Sequence, residues 1–401
     1  MDALEMLEAR GFVQQCTNLD EVRSALSEGQ VTYYIGFDPT AASLHVGSLL
    51  QIMIMAHLQR AGHRCIAIVG GGTTLVGDPT GRTELRKMLT TEQIDANAAK
   101  IKGQLEHFLV LDGDKGMMLN NAEWLTELNY LEFLRDIGKH FSVNRMIAAE
   151  GYKQRLARGL SFIEFNYQIL QAYDFLELYR SYGCTLQIGG DDQWGNIIAG
   201  SGLIRRCDQG HANGLTTPLI TTASGAKMGK TAKGAVWLDP ELCSPFDFYQ
   251  YWINVDDRDV VRFLKLYTFL ELDEIAELGR LEGADIRKAK HVLASEITRT
   301  LHGDEALRAA QEAAAKMTQG VASADMKTHA IGDDTKLVNL LAESGMEKSR
   351  GAARRLVQGG GVRVNGEKVT DVDYLLGSDD LGDEGAVIRL GKKRAIRFIA
   401  S

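Results

Sequence analysis

Residues 33–48 read Tyr33-Tyr34-Ile35-Gly36-Phe37-Asp38-Pro39-Thr40-Ala41-Ala42-Ser43-Leu44-His45-Val46-Gly47-Ser48. Val31 to Phe37 is apolar and aromatic, the composition of a strand. Asp38-Pro39 ends it, because proline has no N–H for the ladder. A helix restarts near Leu44, and Leu49 to Leu58 is mostly apolar. His45, Gly47 and Ser48 therefore fall in the first turn of a helix that follows a strand. Free backbone N–H groups and the positive dipole end make such a turn an anion site. Gly47 lets a ligand approach the backbone. The His45 imidazole and the Ser48 hydroxyl are donors for phosphate oxygens. The plainer alternative is a βα connection in which His45 serves only as a cap.

The rest of the composition narrows the class. A chain of 401 residues holds two or three domains. No run of 18 apolar residues is present, so no membrane span is expected. Met1 to Arg10 carries Asp2, Glu5 and Glu8 and resembles neither a secretory signal nor an Arg-rich transit peptide. The five cysteines are widely spaced and form no CxxC, which predicts a reducing cytoplasm and no zinc or other metal site. A net charge of -8 argues against indiscriminate nucleic-acid binding but leaves room for a local basic patch.

Along the chain, residues 20–29 read as a helix. Cys65 to Val69 reads as a second strand, running into a glycine-rich loop, Gly70 to Thr74, and then Gly77-Asp78-Pro79-Thr80-Gly81-Arg82. Asp78 stands where a P-loop needs lysine, so a P-loop is excluded. What remains is a carboxylate followed by Arg82, Arg86 and Lys87 at a strand end, where α/β sheets bind ligands. Met117 to Asn120 is a short strand, and residues 92–111 and Leu128 to Ile137 are helices. Leu160 to Leu178 contains no Gly or Pro and is a helix with Tyr167, Gln171 and Asp174 on one face. That face is either simple amphipathicity or the wall of a polar pocket. Cys184 to Ile188 is a strand ending in Gly189-Gly190-Asp191-Asp192-Gln193. Pro218 to Thr221 reads as a further strand that opens onto Lys227-Met228-Gly229-Lys230-Thr231, a loop of small residues with two lysines suited to phosphate.

Beyond Pro245 the chain turns helical and charged. Thr318 to Asp334 mixes Gly, Ala, Ser and Asp and reads as a linker. Two helices and an Asn365-Gly366 hairpin follow. Lys348, Arg350, Arg354, Arg355, Arg363 and Lys368 give this end a basic face, the footprint of a nucleic-acid contact.

Taken together, these segments carry a resemblance. His45-Val46-Gly47-Ser48 resembles the HIGH signature of class I aminoacyl-tRNA synthetases, and Lys227-Met228-Gly229-Lys230-Thr231 their KMSKS loop. Ser48 stands for the last His of the first motif, and Gly229 for the Ser of the second. Tyr34 with GFDPT, GDPTG at 77–81, YQILQAYDF at 167–175 and LQIGGDDQWGN at 186–196 are similar to the bacterial type of tyrosyl-tRNA synthetase. The resemblance implies an α/β protein in four parts. Residues 1–242 form a Rossmann-like parallel-sheet catalytic domain. Residues 243–317 form an α-helical anticodon-binding domain, 318–334 a linker, and 335–401 a small α+β S4-like RNA-binding domain.

It also implies roles. Tyr34 and Asp174 hold the substrate phenol; Asp78, Tyr167 and Gln171 hold its ammonium; Gln187 and Gln193 complete the substrate site. Gly36, Asp38, Thr40, His45, Gly47, Gly190, Asp192 and Lys230 contact ATP. His45, Ser48, Arg82, Arg86, Lys227 and Lys230 act on the departing pyrophosphate. Lys348, Arg350, Arg354, Arg355 and Arg363 bind RNA. The implied partners are L-tyrosine, ATP with Mg2+, tRNA(Tyr) and a second copy of the chain, with Phe162 at the position of the family's dimer interface. Two rivals share the scaffold: a tryptophanyl enzyme, and a catalytically idle RNA-binding or splicing protein.

Overall fold

The computed structural model describes residues 1–79, 89–148, 150–157, 159–225, 228–231, 234–319, 327–332, 335–382, 385–391 and 394–400. The chain divides into two compact units, Met1–Cys243 with Tyr251–Leu301, and Ser244–Gln250 with His302–Ser401.

The first unit is built on a six-stranded sheet in the order β1-β6-β5-β2-β3-β4. Its strands are β1 (Gln15–Cys16), β2 (Thr32–Phe37), β3 (Arg64–Val69), β4 (Gly116–Asn120), β5 (Cys184–Gly190) and β6 (Asn213–Thr217). All neighbours pair in parallel except β1 with β6. The quoted stretch supplies β2, at the centre. From it the chain winds outward through β3 and β4, then crosses back to β5 and β6 on the other side. The direction of winding reverses between β2 and β5, leaving a crevice at their C-terminal ends. Tyr34 lies opposite Gln187 across that seam. One face of the sheet is covered by the long helix Phe162–Tyr182, whose Phe175 and Leu176 are buried with Tyr34, Ile66 and Leu203. A capping box at Ser161 and Glu164 starts this helix and Gly183 ends it.

Three sequence expectations change here. The glycine run after β3 is a short helix, Gly71–Val76, rather than a loop. The Asn121 side chain accepts from Gly72 N–H at 2.8 Å and so satisfies its first turn, and a side chain at Gly71 would run into the Asn120 amide. The strand expected at Pro218 to Thr221 lies earlier, at Asn213–Thr217. Its buried Thr216 and Thr217 are hydrogen-bonded to Asp191 and Gln51, so polar side chains fill a central position, while the apolar Leu219 is exposed. The linker expected over Thr318 to Asp334 contains a strand, Thr328–Ile331.

The helical stretch after Pro245 consists of Pro245–Ile253, Val260–Tyr267, Leu272–Leu278 and Ile286–Gln319, the last kinked at Gly303. It is divided between the two units rather than forming one of its own. After the small antiparallel pair β7 (Lys230–Thr231) and β8 (Gly234–Ala235), the remaining strands form one sheet. They are β9 (Thr328–Ile331), β10 (Val362–Val364), β11 (Glu367–Val369), β12 (Ala386–Leu390) and β13 (Arg394–Ala400), in the order β11-β10-β12-β13-β9. Leu337, Leu341, Val357, Ile388 and Phe398 give that sheet a core of its own. No helix among the described residues is long and apolar enough to cross a membrane.

Candidate active site

The crevice between β2 and β5 opens into a cavity of about 370 Å³. Its wall takes Tyr34, Gly36, Asp38 and Thr40 from β2 and the turn after it, and His45, Gly47 and Ser48 from the helix that follows. The helix Phe162–Tyr182 adds Tyr167, Gln171 and Asp174. The end of β5 and the turn beyond it add Gln187, Gly190, Asp192 and Gln193, and Asp78 completes the set. These are the described residues expected at the site, brought together from four segments. Arg82, Arg86 and Lys227 lie outside the described residues, as does the side chain of Lys230.

His45 is the N-cap of the helix Val46–Arg60, as its place after the strand predicted. The two signature segments are bridged by the stretch 236–238, in which Val236 bonds to both. Val46 N–H donates to Val236 O and Leu238 N–H to Leu44 O, each at 2.9 Å. Val236 N–H donates to Gly229 O at 2.9 Å. Gly229 has φ +77, and a Cβ there would stand 3.0 Å from Gly47 N. A serine at that position would be strained, which accounts for the glycine. Tyr251 steadies the same loop, donating to Met228 Sδ at 3.2 Å.

Asp174 is buried and accepts two hydrogen bonds, from Asn121 Nδ2 at 2.9 Å and Trp124 Nε1 at 2.7 Å. Burial pushes its carboxyl up to about 7, and the two donors pull against that shift. The Tyr34 hydroxyl is buried in the same cavity and has no hydrogen-bond partner among the described residues. Leaving such a group unpaired costs ~1–3 kcal/mol. Gln187 Oε1 and Gln51 Oε1 are likewise buried and unpartnered among the described residues. A ligand that offers both a donor and an acceptor satisfies the Tyr34–Asp174 end of the cavity.

The opposite corner is already networked. Gln193 Nε2 donates to Asp78 Oδ2 at 2.9 Å. Asp191 is held by Gln15 and Thr216, which fixes the turn that carries Asp192 and Gln193. Among the described residues no group of three or more His, Cys, Asp or Glu could hold a metal ion. Sequence reading missed Asn121, Trp124, Thr73 and Gln51, which also belong to this region. Only the apolar Trp124 after a strand carried any local signal, and it pointed to core.

In the second unit Lys348, Arg350, Arg354, Arg355 and Arg363 are all exposed. Arg350 pairs with Glu343 and Arg363 donates to Gly366 O.

The chain is similar to known proteins in both sequence and fold. Residues 26–319 match the family described as tRNA synthetases class I (W and Y). Residues 315–397 match the tyrosine–tRNA ligase SYY-like C-terminal domain. The tyrosine–tRNA ligase of Caldanaerobacter subterraneus subsp. tengcongensis is 51% identical over 405 residues, covering 100% of this chain and 99% of its own. That of Clostridium botulinum is 51% identical over 404 residues, with the same coverage. Among solved structures, a C-terminally truncated mitochondrial tyrosyl-tRNA synthetase from Aspergillus nidulans superposes with a TM-score of 0.71 at 31% identity. It covers 79% of this chain and 94% of its own. With a crevice at the reversal of the sheet, two signature segments bridged through Val236, and family matches that together run from residue 26 to residue 397, the chain belongs to the tyrosine–tRNA ligases, class I aminoacyl-tRNA synthetases.

Proposed function

We propose that the cavity is where L-tyrosine meets ATP, forming tyrosyl-adenylate and pyrophosphate, before the tyrosyl group passes to the 3′-terminal adenosine of tRNA(Tyr). One observation carries this: a buried phenol hydroxyl without a partner, Tyr34, shares a cavity with a buried carboxyl, Asp174. A substrate phenol donates to Asp174 and accepts from Tyr34. An indole has a donor but no acceptor, and a phenyl ring has neither. This favours tyrosine over the tryptophanyl alternative. An idle RNA-binding scaffold has no use for such a pair.

Asp78, Tyr167 and Gln171 take the ammonium, Gln193 the carboxylate, and Gln187 offers a further acceptor. Gly36, Asp38, Thr40, Gly47, Gly190 and Asp192 face the nucleotide. A carboxylate oxygen of tyrosine bonds to the α-phosphorus while the bond to pyrophosphate breaks, so no side-chain nucleophile is needed. His45, Ser48, Arg82, Arg86, Lys227 and Lys230 meet the charge that develops on the leaving group. Mg2+ enters with the ATP phosphates.

The test is exchange of labelled pyrophosphate into ATP. It is expected with tyrosine and absent without it; exchange driven by tryptophan, or none, rejects the proposal. A second expectation separates fold from function. Tyr34→Phe removes an unsatisfied hydroxyl, so the free protein should gain ~1–2 kcal/mol in urea unfolding. The same change should weaken tyrosine binding by about tenfold, the worth of one hydrogen bond. Loss of stability together with affinity would contradict the unpaired hydroxyl.

The chain also forms a homodimer in this reading. Leu131, Val143 and Phe162 are 75%, 55% and 69% exposed, while their neighbour Met146 lies in the core beside the site and Phe133, Phe141 and Phe165 pack against that core half-buried. Exposed apolar residues of this size mark an interface. Phe162→Asp should convert the dimer to monomer in sedimentation; an unchanged dimer would place the contact elsewhere. The five free cysteines suit a reducing cytoplasm.

A further inference from the structure

Asn196 lies in the first turn of the helix Trp194–Asp208 and is buried. Its single amide nitrogen donates twice, to Gln171 Oε1 and to Gln193 Oε1, each at 3.0 Å. Both acceptors belong to side chains that line the cavity, whereas Asn196 does not. With its oxygen on Asn196, Gln193 must turn its nitrogen away, and that nitrogen donates to Asp78. Turning this amide over would set Oε1 against the Asp78 carboxylate and NH2 against the NH2 of Asn196. Gln171 is held the same way: one lone pair of Oε1 is engaged, and the other is left for a cation.

Asn196 is itself fixed. One residue earlier, Gly195 O accepts from Gln168 Nε2 at 3.1 Å, which pins this helix to Phe162–Tyr182. Asp191, at the start of the same turn, is held by Gln15 and Thr216.

We propose that Asn196 is a positioning residue: by donating to both carboxamide oxygens, it sets the orientation in which Gln171 and Asp78 receive the ammonium of tyrosine. This rests on the reading that Asp78, Tyr167 and Gln171 hold that ammonium. Asn196 touches no substrate atom and acts through its two glutamines. An apolar side chain of the same size would leave both oxygens without a donor and both amides free to turn.

The test compares two ligands on the full chain: L-tyrosine, and 3-(4-hydroxyphenyl)propanoic acid, which keeps the phenol and carboxylate but lacks the ammonium. Dissociation constants are measured for the wild type, Asn196→Leu and the smaller Asn196→Ser. Wild type should prefer tyrosine. In both variants tyrosine should weaken by thirtyfold or more; the analogue, which keeps the carboxylate that Gln193 holds, should weaken less, by about threefold to tenfold, and KM for ATP should stay within twofold. Equal weakening of both ligands would reduce Asn196 to a packing role and overturn the proposal, as would unchanged tyrosine binding. If wild type bound the two ligands alike, the ammonium reading itself would fail, and that result is visible before any variant is made.

Discussion

Asp174→Ala lowers tyrosine-dependent pyrophosphate exchange by about a thousandfold, or ~4 kcal/mol. The substitution strips the acceptor proposed for the substrate phenol. It also leaves Trp124 Nε1 without its acceptor and takes one of the two acceptors of Asn121 Nδ2, which keeps Thr73 Oγ1. The lost acceptor of Trp124 costs ~1–3 kcal/mol. The isosteric Asp174→Asn removes the ionisation; its amide NH2 faces one of the two donors, Asn121 Nδ2 or Trp124 Nε1, at a cost that does not change with pH. Burial raises the Asp174 carboxyl from 3.8 to about 7 in the folded chain. The folded state therefore keeps a proton that the unfolded chain loses near pH 4. That contribution to stability is whole below pH 4 and is lost as pH rises through 7, about 4 kcal/mol in all at ~1.4 kcal/mol per unit. Asparagine never ionises. Relative to wild type, Asp174→Asn should thus gain stability between pH 4 and pH 8, by an amount approaching that figure, in urea unfolding at the two pH values. A difference that stayed flat with pH, or ran the other way, would show that Asp174 is not held against its charge. In the proposed reading, tyrosine offsets this cost by donating to the carboxylate.

Removing residues 327–401 leaves pyrophosphate exchange within about twofold and depresses tRNA charging by about a hundredfold or more. The cavity residues all lie before residue 243, and the exposed basic residues Lys348 to Arg363 lie beyond the cut. The place of the cut matters. Residue 335, the boundary that composition suggests, would separate β9 from its parallel partner β13, in which Arg397 to Ala400 pair with Thr328 to Ile331. The segment to be removed is the greater part of the second unit and takes with it the whole of the core around Leu337, Val357 and Phe398. If the five basic side chains neutralise tRNA phosphates, the slope of log K against log salt should fall by about 4 on truncation. Charging that survived truncation, or exchange that fell with it, would remove the RNA-binding role of the tail.

Much of this was legible in the sequence because the deciding physics is local. A proline ends β2, a helix restart places His45 at an N-cap, and unbroken apolar periodicity marks the helix of Tyr167, Gln171 and Asp174. The Asn365-Gly366 turn joins β10 and β11 with positive φ at both residues, as the dipeptide predicts. The family resemblance then named residues that the cavity gathers. The sequence alone did not show what holds those residues. Asp174 depends on Asn121 and Trp124, 53 and 50 residues away, and Gln171 and Gln193 share the nitrogen of Asn196. The glycines after β3 look like a loop until the Asn120 and Asn121 side chains close on them and turn them into a helix. A strand of threonines is buried because its hydroxyls find partners on other elements. Composition and periodicity record which face of a segment is apolar. They carry no mark of a hydrogen bond between distant segments, so burial of a polar group, the pKa it acquires and the orientation of an amide are decided only when the tertiary structure brings its partner in.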